Sequence, residues 1–219
     1  MNIGILGTGT LATALGTAWV RAGHDVVVGG RSPRKAAEAA ARMTASAPGA
    51  GTARAAETVA AATGRDAVLL AVSWSGVPDI LAAAGAAAGS LAGTPLIDPV
   101  NAVDHGVGEH LVADGRAAAE HIADLAPGAH VVKAFHLFPA AQWSEGREPV
   151  TVPIAGDDEA ALRTVSALVR DAGAEPAVVG PLRRARQLEE AAGLVIALVF
   201  AGHDPNAAVP RVPARTDVA

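Results

Sequence analysis

Gly7-Thr8-Gly9-Thr10-Leu11-Ala12 has the spacing G-x-G-x-x-G/A, and the chemistry that spacing serves is the holding of a pyrophosphate. The first glycine makes a tight turn, and the second lets the backbone approach the phosphates. The small third residue lets the following helix pack on the strand behind it. Leu11 opens that helix with Thr10 just before it, both expected to bind the dinucleotide, and the helix N-terminus attracts the anion. About twenty residues on, an NAD site places a carboxylate against the ribose 2′-hydroxyl. Here the chain reads Gly29-Gly30-Arg31-Ser32-Pro33-Arg34-Lys35. Nothing there repels a 2′-phosphate, and Arg31, Ser32 and Lys35 offer it a guanidinium, a hydroxyl and an ammonium. The expected dinucleotide is NADP, with Arg34 assigned to a solvated helix start.

Two further stretches lie where ligands of open α/β sheets bind, at the carboxyl edge of the strands. Ala71-Val72-Ser73-Trp74 ends an apolar run and is expected to touch the nicotinamide–ribose, with loop packing as the alternative. His136 follows an apolar run at 130–134. The chain has no Cys and no Tyr, so His136 is the expected catalytic proton donor. Lys133, just before it, is expected to snorkel outward. His24 and His130 read as surface residues. His105, His110 and His121 with Asp104 and Glu109 lack a spacing that gathers them on one helix face, so a solvated loop and no metal are expected.

These residues need elements to hold them. Residues 2–6, 11–22 and 25–29 read as strand, helix and strand, one βαβ unit of a parallel sheet. A helix capped by Ser32 or Arg31 follows, running through Met43 with Pro33 in its first turn. Strands are expected at 67–72, 95–98, 130–134, 150–155 and 175–179. Helices are expected within 76–88, near 116–125, at 157–171 and after Gly180-Pro181. In the last of these, Leu182, Ala185, Leu188, Ala192, Val195 and Val199 share one face. The fold class is a doubly wound α/β domain on a parallel sheet, with a C-terminal strand–helix extension. The expected domain is a single unit over residues 1–202, with its core at 1–155, its extension at 156–202, and an irregular tail at 203–219 that carries Pro205, Pro210 and Pro213.

Composition limits the partners. Apolar residues make up 51% of the 219 and charged residues 18%, enough to fill a core. Seventeen basic against 22 acidic side chains leave a net charge of −5, which argues against nucleic acid as a partner. The absence of Cys removes thiolate chemistry and fits a cytoplasmic location. The first residues lack the pattern of an export signal, so none is expected, and the longest apolar run, at 191–202, is too short to span a bilayer. That run is apolar on nearly every side, so a homodimer through the C-terminal helix is expected.

The chain resembles the deazaflavin-dependent NADP oxidoreductase family over about residues 1–202. The resemblance rests on Ile3-Gly4-Ile5-Leu6-Gly7-Thr8-Gly9, on Gly29-Gly30-Arg31 with Lys35, and on Val131-Val132-Lys133-Ala134-Phe135-His136. It continues in Gly156-Asp157-Asp158 and in Gly180-Pro181-Leu182-Arg183-Arg184-Ala185-Arg186-Gln187-Leu188-Glu189. It implies a Rossmann core, NADP contacts from Thr8, Gly9, Arg31 and Lys35, and Asn101 beside the nicotinamide. It also implies a wall from His136 to Ala140 against which a deazaflavin, coenzyme F-420, stacks. Gly30 stands where the family usually has Ser, and the segment from Gly202 onward departs from the family's closing segment. Membrane metalloreductases use a similar module. The function so implied is hydride transfer between NADP(H) and a deazaflavin-like small-molecule partner. Two alternatives stay open: reduction of a small imine or carbonyl compound, and an NADP(H)-sensing protein without turnover.

Overall fold

Short apolar strands joined by helices must cross over and return parallel, because a helix carries the chain back along the sheet face. The computed structural model describes residues 1–47, 49–104, 106–144 and 146–208 and follows this rule through six strands. These are β1 (Asn2–Leu6), β2 (Asp25–Gly29), β3 (Thr52–Ala55), β4 (Ala67–Leu70), β5 (Pro95–Asp98) and β6 (His130–Lys133). The linking helices are α1 (Thr10–Arg21), α2 (Pro33–Ala45), α3 (Thr58–Ala62), α4 (Val77–Ala83) and α5 (Ala118–Leu125). The rest comprises β7 (Thr151–Gly156), α6 (Glu159–Asp171), β8 (Glu175–Gly180) and α7 (Ala185–Phe200).

The eight strands lie in the order β3-β2-β1-β4-β5-β6-β7-β8. Strand order reverses at β1, whose neighbours are β2 and β4, so a crevice opens at the carboxyl ends of β1 and β4. This is the doubly wound class expected. One pair breaks the parallel pattern: β6 and β7 are antiparallel. Among the described residues their connection holds a 3-10 turn, Ala140–Trp143, and no α-helix to carry the chain back before it re-enters the sheet. α6 then restores a parallel crossover to β8.

Helices cover both faces. Ile3, Ile5, Leu15, Trp19, Met43 and Phe135 belong to one core cluster; Leu6, Val68, Leu70, Leu81 and Ile122 belong to the other. The Trp19 indole N–H donates to the Leu168 carbonyl at 2.9 Å, tying α1 to α6. Ser32 caps α2 and Asp158 caps α6, each side chain accepting a first-turn amide.

Some expectations are corrected. β3 and α3 were not anticipated, because Thr52-Ala53-Arg54-Ala55 is a short edge strand without an apolar run. The buried side of α7 is Ala185, Glu189, Ala192 and Gly193. Val199, expected on it, is 54% exposed. Glu189 decides this, since its pairing beneath the helix turns that side inward. Residues 209–219, with Pro210 and Pro213, lie outside the described residues. Among the described residues no helix is long and apolar enough to cross a membrane.

Candidate functional site

The two glycines of the turn after β1 serve different needs. Gly7 has φ +134°, and a Cβ there would clash with the Ala71 carbonyl oxygen, so the fold itself requires glycine. Gly9 is extended, at φ −79° and ψ −175°, and a Cβ on it would meet nothing within 4 Å. The chain has no internal reason to omit that side chain, and the open space lies in the crevice. α1 begins there with no side-chain cap and no acidic residue in its first turn. Its leading amides therefore have no intrahelical partner and face the crevice end with positive polarity.

Gly7, Thr8, Gly9, Arg31, Ser32, Lys35, Ala71, Val72 and Ser73 line one cleft of about 520 Å³. Gly30, Gly76 and Ile80 complete it, and no carboxylate lines it. Arg31 and Lys35 are exposed and have no ion-pair partner among the described residues. Arg34, by contrast, pairs with Glu38 one turn on. The Ser32 hydroxyl oxygen accepts the Lys35 amide at 3.4 Å, leaving its hydrogen to donate. The cleft thus presents cations, amides and hydroxyls, a donor set suited to phosphates and to ribose.

The remaining expected residues sit elsewhere. Thr10 and Leu11 open α1 without lining the cleft, and Leu11 packs on the core. Trp74 packs on Ala102, Val112 and Ala118, which is the loop-packing alternative. Asn101 and His136 meet each other at the ends of β5 and β6, where the Asn101 amide donates to the His136 carbonyl at 2.8 Å. The chain reaches His136 through Phe135, which at φ 63° is the one non-glycine at positive φ among the described residues. Its ring is held edge-on between Trp19 and Trp143, with centroids at 6.0 and 5.0 Å.

At this edge three buried polar atoms have no hydrogen-bond partner of good geometry among the described residues: Asn101 Oδ1 and both ring nitrogens of His136, toward which the Leu188 backbone points less ideally. Burial, and then the Lys133 ammonium, push His136 well below the usual histidine range, with the Leu188 backbone opposing. The ring is therefore neutral at pH 7. It offers one N–H and one acceptor, and a neutral imidazole is a weak proton donor.

Three readings are overturned by packing. Lys133 does not snorkel: it is fully buried, with Asp98 at 3.1 Å and Glu189 at 3.0 Å. His110 is not solvated, for its Nε2 meets Glu189 at 2.9 Å. His24 is buried against Asp171, also at 2.9 Å. Asp98 and Glu189 had been given no role. The signal that could have found Asp98 is a charge closing an apolar strand, as in Pro95-Leu96-Ile97-Asp98 and His130-Val131-Val132-Lys133, whose last residues pair across the sheet; Glu189, in the middle of α7, carries no such local signal. The described residues include no cluster suited to a metal, and His105 lies outside them.

Residues 2–102 match the family described as NADP oxidoreductase, coenzyme F420-dependent. The match spans 101 of the 219 residues, a little under half of the chain. Metalloreductase STEAP3 of Rattus norvegicus is 30% identical over 190 residues, which is 86% of this chain and 36% of that protein. The chain thus spans about a third of the length of this curated relative. A solved structure, a candidate F420-dependent NADP-reductase from Arthrobacter sp. FB24, superposes with a TM-score of 0.74 at 26% identity. The overlap is 92% of this chain and 95% of that one, so the likeness to the family's fold runs beyond residue 102. A reductive aminase from Aspergillus terreus, solved with NADPH4, cyclohexanone and allyl amine, shares the fold alone. Its TM-score is 0.65 at 20% identity, over 92% of this chain and 62% of that one.

Proposed function

We propose that the chain binds NADP(H) in the Gly7–Ser73 cleft and passes a hydride between the nicotinamide and a deazaflavin held near His136–Ala140. The observation that carries this reading is the cleft itself: open space at Gly9, an uncapped helix start, and two cations without carboxylate partners. The amides of Thr8 to Leu11 hold the pyrophosphate, while Arg31, Ser32 and Lys35 hold the 2′-phosphate. Val72 and Ser73 border the ribose, and the unpartnered Asn101 Oδ1 offers an acceptor to the nicotinamide end. NADPH, when bound, supplies the hydride.

A neutral, buried His136 suits transfer between two stacked rings, where the protein's task is alignment. It does not suit reduction of an imine or carbonyl, which needs a proton as the hydride arrives. The likeness to the F420-dependent family supports the same choice. The exposed Leu194, Val199 and Phe200 of α7 support self-association through that helix. The test is a pair of dissociation constants, for NADPH and NADH, together with hydride transfer to coenzyme F-420 measured at its own absorbance. An NADPH affinity no better than that for NADH overturns the cofactor assignment. Oxidation of NADPH by a small imine but not by coenzyme F-420 overturns the partner.

A further inference from the structure

Beneath Asn101 and His136 lies a group of buried charges that the proposed chemistry does not use. The Glu189 carboxylate, wholly buried on α7, receives four donors. Oε1 accepts from the Ala119 amide at 3.1 Å and from Lys133 at 3.0 Å; Oε2 accepts from the Ala118 amide at 2.8 Å and from His110 Nε2 at 2.9 Å. His110 Nδ1 accepts the Val112 amide at 3.1 Å, which fixes the neutral tautomer with its proton on Nε2. Lys133 Nζ uses its other two hydrogens on Asp98 Oδ2, at 3.1 Å, and on the Val100 carbonyl. Asp98 Oδ1 accepts the Val100 amide at 2.8 Å. Every member is satisfied, and the group ties together β5, β6, the start of α5, the His110 loop and α7.

Stability alone does not explain such a group, because apolar residues of similar volume commonly stabilise a core as well or better. A fully satisfied polar network does something apolar packing does not: it allows one arrangement only. Its two strand-end members adjoin the proposed site. Val100, gripped at both its amide and its carbonyl, is followed by Asn101; Lys133 precedes His136 by three residues. The Asn101 to His136 hydrogen bond then joins the two ends.

We propose that Glu189 and Lys133 are positioning residues, an ionic lock that seats α7 across the ends of β5 and β6 and so holds Asn101 and His136 in register for hydride transfer. The proposal rests on the reading above for what Asn101 and His136 do, but the lock itself is testable without any ligand. In Glu189→Gln the amide nitrogen must face a pair of donors whichever way it turns, so the lock loosens while the volume is kept. By hydrogen exchange, amides in 98–102 and 134–138 are expected to exchange at least about tenfold faster, with those in 7–13 unchanged. NADPH affinity should stay within about twofold while kcat with coenzyme F-420 falls about tenfold or more. In an Asn101→Ala background the same substitution should lower kcat by less than about twofold further, because the two act through one contact.

Faster exchange throughout the chain, or losses that simply add in the double variant, would show a merely structural role and overturn the proposal. If Glu189→Gln does not fold, His110→Ala removes one donor from the edge of the lock and should give the same local pattern, smaller in size. Unchanged exchange at 98–102 in that variant also overturns the lock. Intact hydride transfer in Asn101→Ala alone sinks the reading of the site instead, and the exchange data then decide the lock independently.

Discussion

The two ends of the sheet's carboxyl edge handle charge in opposite ways. At β1, β2 and β4 the cations Arg31 and Lys35 stand exposed, the amides at the start of α1 are uncapped, and no acid lines the cleft. At β5 and β6 the cation Lys133 is sealed, and Glu189 and Asp98 meet it within about 3 Å. A donor set left open to solvent is poised for an anion from outside. One whose every hydrogen is already used holds the fold. The same residue type, lysine, thus stands open to solvent beside the cleft at 35 and belongs to the architecture at 133.

The comparison breaks most visibly at the glycine turn. Gly9→Val should fold with unchanged thermal stability and lose NADPH binding, since its side chain fills only the open cleft. Gly7→Ala should lose the fold as well, its backbone being strained at φ +134° and its Cβ set against Ala71. Thermal melts and NADPH titrations of the two variants give opposite patterns if the turn divides as described.

Next in size is the sealed cation. Lys133→Met leaves Asp98 and Glu189 buried without their counter-ion and should cost about 3–5 kcal/mol of stability. Chemical denaturation measures it. A loss below about 1 kcal/mol would put Lys133 among ordinary surface pairs.

Arg31→Ala probes the open end. A charge-assisted bond to the 2′-phosphate contributes roughly 1.5–3 kcal/mol, so NADPH should weaken about ten- to a hundredfold. NADH should barely change, and equal losses for the two cofactors would remove Arg31 from the phosphate site.

The smallest effects are at His136. Its replacement by Ala should lower turnover with coenzyme F-420 by less than about tenfold, a larger loss being the mark of general acid catalysis. Its titration affects stability in a set direction. The folded pKa lies well below the unfolded value near 6.5, so both states are mostly neutral at pH 7 and little is lost there. As pH falls below about 6.5 the unfolded chain takes up a proton that the folded chain refuses, and stability declines by at most about 1.4 kcal/mol per pH unit. His136→Ala should remove that slope between the two pKa values. An unchanged slope in denaturation midpoints from pH 6.5 downward would show that the ring is not buried in its neutral form.

Much of this was legible in the chain order of residue types. The Gly7-Thr8-Gly9 turn, the basic stretch from Arg31 and the alternating strands and helices are local patterns, set by backbone sterics and by periodic burial. They placed β1, α1, β2 and nine of the cleft's residues. Which way Trp74 turns was not legible, because a strand-end aromatic can turn to either side of the sheet, and its packing on Ala102, Val112 and Ala118 is a long-range choice. β3 was missed because an edge strand buries little and needs no apolar run.

What the sequence by itself determined is the β1–α1–β2 half: a turn that only glycine can make at residue 7, a helix start without acids, and cations at the tip of β2. Only the tertiary structure decided the other half. Lys133, Asp98, Glu189 and His110 are up to 91 residues apart in the chain, and nothing local distinguishes a lysine that reaches solvent from one that meets two carboxylates. The deciding terms are the cost of burying a charge and the geometry that repays it, and both exist only once β5, β6, α5 and α7 have come together.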